Sequence, residues 1–130
     1  MNDVLRSLTF EFLGTGKHKI AHGAFLDLPD SVLLDVRTNE EVESVSFSLK
    51  GTISQSLHIP LNELPDRWGE VTGKGIVGIL CVTDVRSAMA YLYLQSKGIT
   101  NVRVLAGGTA GLLAELKTGK VRNRLIAKNV

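Results

Sequence analysis

Three short, almost wholly apolar runs are bounded by glycine, proline or polar residues. They cover residues 32–36, 76–82 and 102–105. An apolar run of this length is typical of a strand that is buried on both faces of a parallel sheet. Two weaker strands are predicted at 56–59 and, as a short edge strand, at 19–20.

Helical patterns fall between these runs. The clearest covers 87–97 and stops at Gly98, and a second covers 109–116 behind a double glycine. Further helices are predicted at 21–28, at 39–44 and, broken near Pro65, at 61–71. Strands that alternate with helices favour a parallel sheet covered on both faces. We therefore predict one α/β domain over residues 1–130, with its core at about 18–116.

Composition narrows the class of protein. The 130 residues fit one domain, and 44% hydrophobic with 22% charged residues is typical of a globular chain. The net charge of +2 is too small to suggest nucleic acid as the main partner. Basic residues concentrate at 117–130, which indicates either a solvated tail or a surface that contacts an anionic partner. Without a secretory segment or roughly 18 consecutive apolar residues, we expect a cytoplasmic protein with no membrane partner.

Cys81 ends the central apolar run, where ligands bind in parallel α/β sheets. The residues before the helix predicted at Ser87 are Val82, Thr83, Asp84, Val85 and Arg86. Such a loop turns backbone N–H groups inward, and the helix N-terminus adds more, which favours a thiolate. Arg86 adds a planar donor fork suited to an anionic substrate. We expect the sulfur at the mouth of a ring of inward-facing amides.

The opposite interpretation of Cys81 stays open on these grounds alone. Free cysteine is among the most buried residue types and often acts only as a small hydrophobe. Because it is the only cysteine, an intramolecular disulfide and a cysteine-cluster metal site are excluded. A single free thiol also fits a reducing compartment.

Four motifs taken together resemble one family. They are Leu-Leu-Asp-Val-Arg at 33–37 with two acids at 40–41, Gly-Thr-Ile at 51–53 with Ile-Pro-Leu at 59–61, the loop from 81 to 86 with Ser-Ala behind it, and Ala-Gly-Gly-Thr-Ala-Gly at 106–111. In this order they resemble the rhodanese family. The resemblance implies a five-stranded parallel sheet with helices on both faces, and a sulfurtransferase in which Cys81 cycles between thiolate and persulfide.

The resemblance also implies the partners of the site. The loop from Val82 to Ser87 would bind a small anionic sulfur donor such as thiosulfate, and the acceptor would be a thiol or a sulfur carrier. No metal and no organic cofactor is expected. Asp35 and Arg37 are expected to support the sheet edge, Asp35 by accepting hydrogen bonds from the loop. Four residues separate Cys81 from Arg86, whereas phosphatases of the same fold place five there, so sulfur transfer ranks above phosphate or arsenate chemistry.

Asp84 departs from the family pattern. A carboxylate beside a negatively charged persulfide costs on the order of 1 kcal/mol. Asp84 could instead cap the helix that follows, since Asp is a favoured N-cap residue. A non-catalytic module that binds a partner or senses sulfur is therefore the alternative function. Gly-Thr-Gly-Lys at 14–17 is set aside as a phosphate loop, because His18 follows where Ser or Thr is required.

Overall fold

The computed structural model describes residues 1–44, 55–71 and 75–117, of which 116 and 117 are described by their backbone alone. The motif at 51–53 and the basic tail beyond residue 117 lie outside the described residues. None of the described helices combines the length and the apolar character needed to cross a bilayer.

Five parallel strands form a single sheet, which confirms the predicted fold class. The strands are β1 (Lys19–Ile20), β2 (Val32–Asp35), β3 (Gln55–His58), β4 (Val77–Leu80) and β5 (Val102–Leu105). Their order across the sheet is β1-β5-β4-β2-β3, so β4 is central and Cys81 follows its carboxyl end. The predicted edge strand at 19–20 pairs with β5.

Helices cover both faces of the sheet. They are α1 (Asn2–Ser7), α2 (Phe10–Gly14), α3 (His22–Leu26), α4 (Asn39–Ser44), α5 (Leu64–Arg67), α6 (Asp84–Ser96) and α7 (Gly108–Lys117). Successive strand residues point to opposite faces. Ile79 therefore packs in the cluster that contains Leu94 of α6, and Leu80 packs with Phe25 of α3 and Leu112 of α7.

Two predicted helices differ in detail. The helix expected from Ser87 begins at Asp84, because Thr83 is extended and acts as its N-cap residue, and the acidic Asp84 suits the positive end of the helix dipole. The segment 61–71 divides into Leu61–Glu63 (3₁₀), α5 and Trp68–Glu70 (3₁₀). Pro65 lies near the start of α5 and does not break it, since proline is tolerated in a first helical turn.

The N-terminal helices α1 and α2 were not predicted. The Gly-Thr-Gly-Lys segment ends α2, with Gly16 at a positive φ of 68°. The N–H of Lys17 donates to the carbonyl of Phe12 at 3.3 Å, and the N–H of Gly16 donates to Leu13 at 3.1 Å. This is the bonding pattern of a Schellman cap. Its amides serve the helix end, so the segment is not a phosphate loop.

Candidate active site

Cys81 lies directly after β4, at the N-terminal end of α6. It is 1% exposed and belongs to the core cluster that also contains Ile79. The N–H of Ser87 donates to Sγ at 3.4 Å. The Cys81 thiol in turn lies 3.4 Å from the Ser87 hydroxyl oxygen, and that hydroxyl donates to the Asp84 carbonyl at 3.2 Å. Ser87 therefore contacts the sulfur with both its amide and its side chain.

This arrangement differs from the expected ring of amides. Among the described residues, Sγ accepts one hydrogen bond, from the Ser87 N–H, and donates one, to the Ser87 hydroxyl oxygen. Because α6 begins three residues earlier than predicted, Asp84, Val85 and Arg86 form its first turn and not a wrapping loop. The sulfur is also buried, where we expected it at an open mouth.

Arg86 is ion-paired with Glu41. Its Nη1 and Nη2 donate to the two carboxylate oxygens, the second at 2.8 Å. The hydrogen bonds from Arg86, followed by one from the Thr38 N–H, lower the pKa of Glu41 from 4.5 to about 2. The hydrogen bond to Glu41 raises the pKa of Arg86. A full negative charge therefore already occupies the donor fork that we assigned to substrate.

A local motif places Glu41. The N–H of Thr38 donates to Oε1 of Glu41 at 3.0 Å, and the N–H of Glu41 donates to the Thr38 hydroxyl at 3.2 Å. These reciprocal bonds form a capping box at the start of α4. Our sequence reasoning did not assign Glu41 to the site, although the spacing Thr-x-x-Glu was a signal that could have located it.

Asp35 and Arg37 form a buried ion pair beside the site, with exposures of 7% and 2%. The Arg37 guanidinium donates through Nη2 to Oδ2 of Asp35 at 2.7 Å and through Nε to Oδ1 at 2.9 Å. The Arg37 N–H also donates to Oδ1 at 3.1 Å. The Arg37 carbonyl lies 2.8 Å from the ring of His58, a residue of β3. The ion pair therefore fixes the chain that leaves β2, and the contact between the Arg37 carbonyl and His58 ties it to the neighbouring strand.

Asp84 points away from the sulfur. Its Oδ1 accepts the N–H of Gly107 at 3.2 Å, and its Oδ2 lies 3.5 Å from Nζ of Lys19. The prediction that Asp84 caps α6 is wrong, because Thr83 holds the N-cap position. The carboxylate instead links the start of α6 to the turn between β5 and α7.

That second turn also holds the backbone of Cys81. The N–H of Thr109 donates to the Cys81 carbonyl at 3.0 Å. Gly108 has a positive φ of 57°, and a Cβ there would clash with the carbonyl oxygen of Val82. The ring of His22 lies 2.9 Å from the Gly108 carbonyl, and burial lowers its pKa, so it donates as a neutral ring. Only glycine lets the two turns approach this closely.

Comparison with known proteins identifies the family. The family model of the rhodanese-like domain matches residues 22–115. The chain belongs to the rhodanese-like domain family. This confirms the resemblance drawn from the four sequence motifs.

Several relatives carry names that refer to sulfur transfer. A sulfurtransferase of Allochromatium vinosum is 33% identical over 82 residues, which cover 63% of this chain and 71% of the relative. A tRNA sulfurtransferase of Mannheimia succiniciproducens is 33% identical over 79 residues, which cover 61% of this chain. The matched part spans only 16% of the length of that tRNA sulfurtransferase.

Solved structures agree on the fold. A rhodanese-like domain protein from Staphylococcus aureus has a TM-score of 0.56 and 28% identity, covering 72% of this chain and 88% of its own. A human single-domain sulfurtransferase has a TM-score of 0.57, covering 75% and 96% of the two chains, and at 23% identity it supports the fold alone.

In this rhodanese-like domain, two clefts flank the Arg86–Glu41 pair. Glu41 and Val82 line one of about 270 Å³, together with Arg37, Ser44, Thr109 and Leu113. Arg86 lines the other, of about 400 Å³, together with Val36, Thr38, Pro60, Leu61 and Asn62. Thr83 and Val85 are exposed.

The described residues contain no group of three or more His, Cys, Asp or Glu side chains placed to hold a metal ion.

Proposed function

We propose that this rhodanese-like domain is a sulfurtransferase that carries sulfane sulfur on Cys81. The thiolate attacks the outer sulfur of thiosulfate or of a persulfide donor. The donor's S–S bond breaks, and sulfite or a thiolate leaves with the electron pair. A thiol, a sulfur-carrier protein or cyanide then attacks the outer sulfur of the Cys81 persulfide, which returns Cys81 as a thiolate. The two steps need no metal and no organic cofactor.

The observation that carries this proposal is the placement of the only cysteine at the N-terminus of α6. A helix of 13 residues directs the positive end of its dipole at Sγ, and the Ser87 N–H donates to the sulfur. When the thiol ionises, the Ser87 hydroxyl can turn from the Asp84 carbonyl and donate to the thiolate. Charge on the sulfur is thereby stabilised by two donors and the helix end.

A donor reaches the buried sulfur through the turn made by Val82 and Thr83. Both side chains are exposed, and Val82 lines one of the flanking clefts. Movement of this turn would uncover Sγ beside the first turn of α6. The residues Val82 to Ser87 then frame the bound sulfur group, and Arg86 supplies positive charge that an anionic donor must share with Glu41.

Mass spectrometry tests the proposal directly. The full chain is incubated with thiosulfate, and we expect Cys81 to gain the mass of one sulfur atom and to lose it to cyanide with formation of thiocyanate. Cys81→Ser is the control and should show neither change. Ser87→Ala should fold and slow sulfur loading. Equal thiocyanate formation by the wild type and Cys81→Ser would contradict the proposal.

The burial of Cys81 favours one second candidate, a non-catalytic module that binds a partner or senses sulfur. Cys81 is 1% exposed, and Glu41 already neutralises Arg86. A module of this kind would form no persulfide, or would retain the persulfide in the presence of cyanide. The same mass measurement therefore separates the two functions.

A further inference from the structure

A cleft of about 450 Å³ lies between the N-terminal segment and the α6 side of the core. Phe12 and Lys17 line one wall, and Tyr91 of α6 and Arg103 of β5 line the other. Cys81 and the side chains placed around it do not line this cleft. The family match begins at residue 22, so the first wall comes from outside the matched segment.

The charges of this cleft are unlike those of the rest of the described chain. Among the described Lys and Arg side chains, those paired with a carboxylate are Arg6, Lys19, Arg37, Arg67 and Arg86. Lys97 lies over the rings of Trp68 and Tyr93. Apart from Lys97, the described side-chain cations without an acidic partner are Lys17 and Arg103, and both line the cleft, whose described lining contains no acid.

Arg103 is held in place without losing its charge. Its Nη1 donates to the carbonyls of Val102 at 2.7 Å and Thr100 at 3.3 Å. Within the part of the chain that the structure describes, its other guanidinium nitrogens make no hydrogen bond to protein. A neutral pair of carbonyls orients the guanidinium but leaves its positive charge uncompensated. Such a fork suits a planar carboxylate or a phosphoryl group.

A histidine ring packs against both aromatic side chains of the cleft. The His18 ring lies between Phe12 and Tyr91, with ring centroids 6.2 and 6.3 Å away. Burial lowers the pKa of His18, so this support is neutral. Phe12 and the largely buried Tyr91 therefore line the cleft with aromatic side chains beside two cations, and its volume falls in the range of small-molecule sites.

We propose that this cleft binds a small organic phosphate, with its phosphoryl group between Lys17 and Arg103 and an aromatic body against Phe12 and Tyr91. A ligand here needs acceptors, because the charged lining groups only donate hydrogen bonds. An anion also supplies the missing counter-charge. The site is independent of sulfur transfer at Cys81.

Isothermal titration of the full chain with AMP, inorganic phosphate and adenosine tests the proposal. AMP carries both the phosphoryl group and an aromatic base, so we expect it to bind saturably and more tightly than inorganic phosphate, and adenosine not to bind. Lys17→Gln and Arg103→Gln should each weaken AMP binding by about tenfold, as expected for one charge-assisted contact. Arg6→Gln, which removes a paired cation of the same segment, should leave binding unchanged.

Lys17→Gln and Cys81→Ser separate loss of binding from loss of the fold and from the sulfur assays. Lys17 is exposed and serves the fold through its backbone N–H, so Lys17→Gln should fold normally even if Arg103→Gln is less stable. Cys81→Ser should bind AMP as the wild type does, whatever the outcome of the sulfur assays. The proposal is overturned if AMP does not bind saturably, if adenosine or inorganic phosphate binds as tightly as AMP, or if Arg6→Gln weakens AMP binding as much as Lys17→Gln does.

Discussion

The charge of Glu41 should limit the use of thiosulfate, and Glu41→Gln removes that charge at nearly constant side-chain size. In the wild type, the carboxylate takes both terminal nitrogens of Arg86. A doubly charged donor must therefore compete with Glu41 for the same guanidinium. We expect kcat/KM for thiosulfate to rise in Glu41→Gln, because the amide retains a hydrogen bond but no longer neutralises Arg86.

The size of the effect follows from distance and exposure. Two unit charges about 4 Å apart interact by about 4 kcal/mol at the effective dielectric of a protein surface and by about 1 kcal/mol in water. The side chains of Arg86 and Glu41 are 30% and 31% exposed, so solvent screens them strongly. A gain of about 1 kcal/mol, or about fivefold in kcat/KM, is the expected magnitude.

Initial rates of thiocyanate formation measure this effect, with circular dichroism to show that the fold is retained. Glu40→Gln is the matched control, since Glu40 is an exposed acid of the same helix and makes the same change in net charge. A fall in kcat/KM for Glu41→Gln would refute the reasoning. It would show that Glu41 holds Arg86 in its working orientation and does not compete with substrate.

Three further predictions concern stability. The pKa of Glu41 is lowered to about 2, so its ion pair stabilises the fold above about pH 4.5, and this contribution is lost as the pH falls towards 2. Urea denaturation at these two pH values should therefore show a smaller fall in the free energy of unfolding for Glu41→Gln than for the wild type. Arg37→Met leaves Asp35 buried and unpaired, and it should lower the free energy of unfolding by about 3–5 kcal/mol; a cost comparable to that of an exposed-site substitution would contradict the buried pair. Gly108→Ala should cost about 2 kcal/mol or more in unfolding experiments because it combines a positive φ with a backbone clash, whereas Gly14→Ala, with open space around its Cα, should be nearly neutral.

The sheet could be predicted because each of its central strands is encoded by a short apolar run in the sequence. The run before Cys81 is buried on both faces and is apolar throughout, and the run at 102–105 is buried and apolar except at Arg103, so both are visible without knowledge of their neighbours. The start of α6 was harder to locate. Thr83 and Asp84 are compatible with both a loop and a helix N-terminus, and the extended backbone of Thr83 decides between them.

The pairing of charges at the site could not be predicted from local patterns. Arg86 and Glu41 lie 45 residues apart in sequence, and their pairing exists only once α4 and α6 pack at the same edge of the sheet. The N-terminal helices were missed for a related reason. They are only five or six residues long, too short to be stable alone, and α1 packs against α6.

In the proposed sulfur transfer, access to Cys81 depends on two turns that are distant in sequence. The turn that leaves β4 is bonded at the Cys81 carbonyl by the Thr109 N–H, and the Asp84 carboxylate binds the N–H of Gly107. These bonds hold the residues on either side of Val82 and Thr83. The double glycine, which in the sequence preceded a predicted helix and belonged to the fourth family motif, determines how closely the second turn approaches the first. A side chain at Gly108 would push the two turns apart and change access to the sulfur without contacting it.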